Sequence, residues 1–141
     1  MHRFARDSAR TPMQWDRSEN AGFTTGAPWL SVFEDYETYN VASEGEDPTS
    51  VLNWYKTLSS LRREHSELAE GSYQALFPED EQIFAYIREN DSAKAVILIN
   101  FSTEPAAYDA SCLENAGLLL STGTGEKGML APLEAAIFEI R

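Results

Sequence analysis

Apolar positions along the chain follow two periods that meet near residue 71. Before it, Val51, Trp54, Tyr55, Leu58 and Leu61 recur at three- and four-residue steps, which lines them up on one face of a helix. Leu52 widens that stripe, so the helix is expected to pack on more than one side. Asp47 is a good N-cap and Pro48 suits the first helical position, so the helix is predicted over 48–65. Arg62, Arg63 and His65 complement the dipole at its end, and Gly71 follows the stop. Beyond Gly71 the spacing predicts strands over 72–77, 82–88, 94–101, 106–109, 118–121 and 133–140. The third is apolar through its middle and reads as a central strand. Pro78-Glu79-Asp80-Glu81, Glu89-Asn90-Asp91-Ser92 and Gly123-Thr124-Gly125 supply turns between them. Strands at this spacing predict an antiparallel β-sandwich with Ile83, Ile87, Val96, Leu98, Ile137 and Phe138 in its core.

Residues 1–46 show no period, and Gly22, Gly26, Pro28 and Gly45 punctuate them. So long an irregular stretch signals a functional loop or disorder. Phe4, Trp15, Phe23, Trp29, Phe33, Tyr36 and Tyr39 argue for a loop packed on something, since disordered tails rarely carry so many large rings. The expected class is therefore α+β: an irregular N-terminal loop region, one long helix, then an antiparallel β-sandwich.

Charge and composition narrow the partners. Acids outnumber bases 23 to 11, giving a net charge of −12, a field that repels nucleic acid and anionic lipid. No stretch reaches the roughly 18 apolar residues that span a bilayer, and the N-terminus lacks the apolar core of a signal peptide. Cys112 is the only cysteine, so no internal disulfide or thiolate cluster can form, which fits a cytoplasmic protein. His2 and His65 stand isolated in sequence, and no metal site and no cofactor are expected. Ser121 to Gly128 looks superficially like a phosphate loop, but its spacing is wrong and no helix follows. Asp16 and Glu19 are scattered carboxylates in one loop, too few for a calcium site.

The densest signal is Arg6-Asp7-Ser8-Ala9-Arg10-Thr11-Pro12-Met13-Gln14-Trp15-Asp16. Asn20-Ala21-Gly22-Phe23-Thr24, Pro28-Trp29-Leu30, Asn40-Val41 and Ser50-Val51-Leu52-Asn53 follow it. Then come Glu64-His65, Pro132-Leu133-Glu134-Ala135 and Ile137-Phe138. In that order they resemble the α-glucosidase and oligo-1,6-glucosidase branch of the α-amylase superfamily. The resemblance is dense over residues 6–71 and looser beyond. Ser8, Ser66 and Ala42-Ser43-Glu44 depart from the family's usual residues.

The resemblance implies a two-part organisation. Residues 1–70 would be the remnant of the last βα unit of a β/α barrel, a substrate-side loop plus the final helix. Residues 71–141 would be the C-terminal β-sandwich domain. By motif position Arg6 would reach the terminal glucose in the innermost subsite, its planar guanidinium donating to sugar hydroxyls. Asp7, Arg10 and Trp15 would support the loop. The family's catalytic carboxylates belong to motifs that precede this loop, and only five residues stand before Arg6 here. Retaining hydrolysis needs two carboxyls roughly 5 Å apart across the bond, and no acid of this chain sits in such a motif. The chain is thus expected to be the C-terminal portion of a hydrolase acting on short α-linked glucosides, with no catalytic residue of its own. The alternative is a stand-alone, non-catalytic β-domain serving as an interaction or carbohydrate-binding module. The wide apolar stripe of the helix predicts self-association of the isolated chain.

Overall fold

The computed structural model describes residues 9–140. Contacts divide the chain into two compact units, Met1–Ser60 and Leu61–Arg141.

The first unit holds a short 3-10 turn, Glu19–Gly22, and two helices, α1 (Val41–Glu46) and the start of α2 (Val51–Glu64). Asn40 is extended, and its Oδ1 accepts from the Ser43 N–H at 2.9 Å, an N-cap that starts α1. The predicted helix start at Asp47-Pro48 is corrected. Asp47 instead closes a turn: its carbonyl accepts from Ser50 N–H at 3.1 Å and its Oδ1 from Thr49 N–H at 2.8 Å. The helix begins after Ser50, whose Oγ accepts from the Asn53 N–H at 3.1 Å. Glu44 adds a second cap, its Oε2 accepting from the Leu52 N–H at 3.1 Å. An acid is favoured at a helix start, and Glu44 supplies one here. Among the described residues the first part of the apolar stripe of α2 stays open: Val51 is 78% exposed, and Tyr55 and Leu58 are exposed too.

The second unit takes in the end of α2 and then α3 (Ser66–Glu70), a short helix that the sequence pattern does not predict. Seven strands follow: β1 (Ser72–Leu76), β2 (Ile83–Glu89), β3 (Lys94–Asn100), β4 (Ala106–Ala107), β5 (Ala116–Ser121), β6 (Met129–Leu130) and β7 (Ala135–Ile140). Five form an antiparallel sheet in the order β1-β2-β3-β7-β5, with β3 at its centre as expected. The other two, β4 and β6, make a two-stranded ribbon. β4 is only two residues long, against the four predicted, and β6 lies where the spacing predicts no strand.

Alternation sorts the sheet into two faces. Ile83, Ala85, Ile87, Val96, Leu98, Ala136 and Phe138 pack with Ala106, Leu113 and Leu130 into the larger core, between the sheet and the ribbon. Ala95, Ile97 and Leu68 of α3 form a smaller core on the opposite face, against Leu61, Tyr86, Ile99 and Ile137. The placement of Ile137 beside Phe138 in one core is therefore corrected. Register shows why: Val96 pairs with Phe138 while Ile97 pairs with Ile137, and adjacent residues of a strand point to opposite faces.

A buried carboxylate organises the end of this unit. Glu134 is 2% exposed. Its Oε1 accepts from Ser121 Oγ–H and Gly125 N–H, both at 2.7 Å, and its Oε2 from Ala131 N–H at 2.8 Å. Gly123 passes so close that a Cβ there would lie 2.5 Å from the Glu134 Cδ. The glycine-rich turn that looks like a phosphate loop thus wraps an anion of the chain's own.

Candidate functional site

Of the residues singled out by sequence, Arg6 and Asp7 lie outside the described residues. Arg10 is exposed, and Trp15 is 50% exposed, so its indole is not the core ring expected of a packed loop. The same holds for other rings of this region: Trp29 is 99% exposed, and Phe23, Phe33 and Tyr39 are exposed as well. The packing that their number suggested is not supplied by the described residues of this unit.

The backbone around Trp15 is nonetheless firmly placed. The Trp15 and Asp16 N–H groups both donate to the Ala21 carbonyl, at 2.9 and 3.3 Å. On the other side, Val41 N–H donates to Gln14 O and Ala42 N–H to Trp15 O, each at 3.0 Å. The Gln14 side chain donates to Tyr39 O at 2.6 Å, tying the segment to the approach of α1. Residues 14–16 are thus held between the Asn20-Ala21-Gly22 turn and the first turn of a helix.

That turn explains its own sequence. Asn20, Ala21 and Gly22 have φ of 55°, 57° and 66°, three successive left-handed residues. Asparagine tolerates this region and glycine favours it; alanine carries the strain and is fully buried here. Asn20 Nδ2 donates to Thr24 O and Gly26 O, both at 3.2 Å, which holds the bend. Gly22 is required twice, because a Cβ there would also sit 2.7 Å from Asp16 Oδ2. Asp16 in turn accepts from the Ser18 hydroxyl and from the Ser18 N–H, the latter at 2.8 Å. Those bonds, the hydroxyl first, lower its pKa from the ordinary value. Asp16 therefore serves as the lock of the turn.

Beside this segment lies a cleft of about 340 Å³, lined by Thr11, Pro12, Met13, Gln14, Asn40 and Glu44 among others. Its lining joins the amides of Gln14 and Asn40 and the carboxylate of Glu44 with the apolar side chains of Met13, Phe33 and Leu52. Elsewhere, Cys112 is no activated nucleophile: burial first, and then the Asp109 carboxylate, push its thiol above the ordinary value.

Comparison with known proteins decides the family. The family model described as alpha amylase, catalytic domain, matches residues 1–71. The chain belongs to the α-amylase superfamily, in its α-glucosidase branch. It is 48% identical over 104 residues to a probable oligo-1,6-glucosidase of Bacillus subtilis, covering 74% of this chain and 18% of that protein. With the oligo-1,6-glucosidase of Heyndrickxia coagulans it shares 42% over 135 residues, 94% of this chain and 24% of the relative. Among solved structures, the trehalulose synthase of Pseudomonas mesoacidophila superposes with a TM-score of 0.83 at 36% identity, over 96% of this chain and 26% of that one. The trehalose-6-phosphate hydrolase of Bacillus licheniformis gives a TM-score of 0.82 at 31% identity, with the same two coverages. This α-amylase-superfamily chain spans about a fifth to a quarter of the length of these relatives, and its fold matches the C-terminal region of the family.

One constellation was not legible in the sequence of this superfamily member. His65, taken as isolated, has its Nδ1 3.1 Å from Glu67 Oε1 and 3.4 Å from Glu139 Oε1. Only the pair at residues 65 and 67 is close in sequence; Glu139 arrives through the last strand.

Proposed function

We propose that this chain forms the C-terminal portion of an α-glucosidase-like hydrolase acting on short α-linked glucosides, in the cytoplasm. The observation that carries the reading is the likeness to oligo-1,6-glucosidases across 94% of the chain, through loop, helix and sheet alike. In this reading residues 1–70 are the substrate-side loop and final helix of a β/α barrel, and residues 71–141 are the β-domain behind it. Arg6 donates to the terminal glucose, while Asp7, Arg10 and Trp15 support the loop that carries it.

The chain by itself is proposed to be non-catalytic. Glu67 and Glu139 do bring two carboxylates together, but Glu67 is 2% exposed and a glycosidic bond cannot enter between them. Purified chain should release no p-nitrophenol from an α-glucoside above an empty-vector control. Substituted for the matching segment of the Heyndrickxia coagulans enzyme, the chain should support hydrolysis of an α-1,6-linked glucose disaccharide, and Arg6→Ala should abolish it. A folded chimera without activity, or one indifferent to Arg6, would count against the reading.

A second reading, a carbohydrate-binding module, draws on one observation. Tyr73, Tyr86, Phe84 and Phe101 run in a row on one sheet face, with successive centroids 5.3, 5.4 and 6.5 Å apart. Saturating glucose oligomers that shift the ring signals of Tyr73 and Phe84 would favour it. The exposed stripe of α2 also supports pairing of the isolated chain with a second copy. Sedimentation equilibrium showing only monomer at high micromolar concentration would dismiss that pairing.

A further inference from the structure

His65, Glu67 and Glu139 come from three different pieces of backbone. His65 sits extended between α2 and α3, as the residue before the first turn of α3. Glu67 lies in that first turn, with its side chain buried. Glu139 stands in β7, paired with Ala95 of β3 on one side and Gly117 of β5 on the other. The three donor atoms, one nitrogen and two carboxylate oxygens, all lie within 4.8 Å of one another. We propose that they form a binding site for a zinc-class divalent cation.

Geometry is the first argument. Four donors set tetrahedrally at about 2.0–2.1 Å from a zinc ion stand about 3.3–3.4 Å from each other. The distances from His65 Nδ1 to the two carboxylates, 3.1 and 3.4 Å, already match that edge. Chemistry is the second. His65 Nδ1 faces two carboxylate oxygens at once, a donor set that a single cation can hold together. A neutral imidazole and two carboxylates balance a 2+ ion, and the nitrogen–oxygen donor set suits zinc rather than calcium or magnesium. Metal on Nδ1 requires the ring proton on Nε2. Room is the third. The neighbours of Glu139 across the sheet are alanine and glycine, and a Cβ at Gly117 would meet nothing within 4 Å. Neither residue paired with Glu139 carries a side chain larger than a methyl group, so neither crowds an ion bound there. Glu139 has a further interaction of its own, so the ion competes for it and does not fill an idle site. The bound ion would tie the last strand to the α2–α3 junction. This site stands independently of the hydrolase reading.

The test uses the whole chain, freed of metal by a chelator. Cobalt(II) should bind once per chain with the intense visible bands of a four-coordinate ion, and zinc should displace it. His65→Gln and Glu139→Gln should each weaken binding by about 100-fold or more, since loss of a ligand exceeds the usual cost of losing its outer-shell support. Circular dichroism establishes that each variant is folded. Should either variant fail to fold, the wild type decides alone: zinc should shift the ring nitrogens of His65 in 15N spectra and leave those of His2 unmoved. A pale six-coordinate cobalt spectrum, undiminished binding in the folded variants, or shifts at His2 in place of His65 would each overturn the site.

Discussion

Replacing Glu134 by glutamine removes one charge and changes almost no volume, yet it should be among the costlier substitutions in the second unit. The carboxylate accepts three hydrogen bonds at 2.7–2.8 Å, from Ser121 Oγ–H, Gly125 N–H and Ala131 N–H. A glutamine in the same place keeps one acceptor oxygen and turns an NH₂ toward at least one of those donors. One charge-assisted bond is worth about 1.5–3 kcal/mol, and a donor left facing a donor adds to that, so we expect a loss of about 2–4 kcal/mol. For a unit of this size that lowers the melting temperature by about 10 °C or more. The pH dependence supplies the discriminating assay. Burial is the largest single influence on Glu134 and raises its pKa. The bonds from Gly125, Ser121, Ala131 and Thr124 together outweigh burial and hold the group below its ordinary value. A depressed folded-state pKa means the stabilisation is complete above the unfolded value, which lies near 4.5, and is lost as pH falls through the folded one. Melting curves of wild type and Glu134→Gln should therefore stand apart at pH 7 and converge in acid, where the protonated carboxyl resembles the amide. Glu126→Gln, in the same loop but exposed, should track the wild type throughout. Equal melting temperatures at pH 7, or a gap that persists unchanged in acid, would refute the reasoning.

Three other outcomes follow from the described contacts. Gly22→Val should open the turn by forcing a left-handed β-branched residue against Asp16, costing about 1–2 kcal/mol or more from the backbone alone. Amide exchange at Trp15 and Asp16, which both donate to Ala21, should accelerate first. Leu98→Ala, in the fully buried larger core, should cost about 2–5 kcal/mol in urea titration. Ile137→Ala, partly exposed on the other face, should cost distinctly less; the reverse order would mean the strand register is wrong. Ser50→Ala removes the cap of α2 and should lower helix stability by about 1 kcal/mol, read from the ellipticity at 222 nm.

Long periodic elements were legible because burial writes them directly into the sequence. β2, β3 and β7 fall within two residues of their expected bounds, and the sheet order places β3 at the centre. Short elements were not, because tertiary hydrogen bonds decide them. α1 carries Gly45 and no apolar stripe; the signal for it was the Asn40 cap, with Ser43 three residues on. α3 has five residues and takes its place from Leu68 packing on Ala95 and Ile97. At the start of α2 two rules competed. The Asp47-Pro48 pair offered a good start, but a turn closed by Ser50 moved the cap three residues onward. The loop motif identified the family from residue types alone. Its geometry, with three left-handed residues gripping residues 15 and 16, required the structure. The His65 cluster was hidden by separation: no local spacing joins residue 65 to residue 139.

The sheet order also dictates the order in which this unit can be finished on the ribosome. β1, β2 and β3 are consecutive and can zip together as soon as they emerge. The next strand of this sheet to appear, β5, has no partner among the strands already made, because its neighbour in the sheet is β7. Until Ala135–Ile140 is translated, β3 keeps one bare edge and the larger core lacks Phe138. The nascent unit thus waits, open along its middle, for the last of its seven strands to slot between two that were built earlier. A chain stalled or cut before residue 135 would leave β3, the centre of the finished sheet, as a bare apolar edge and β5 with no partner strand, a form prone to pair with its neighbours.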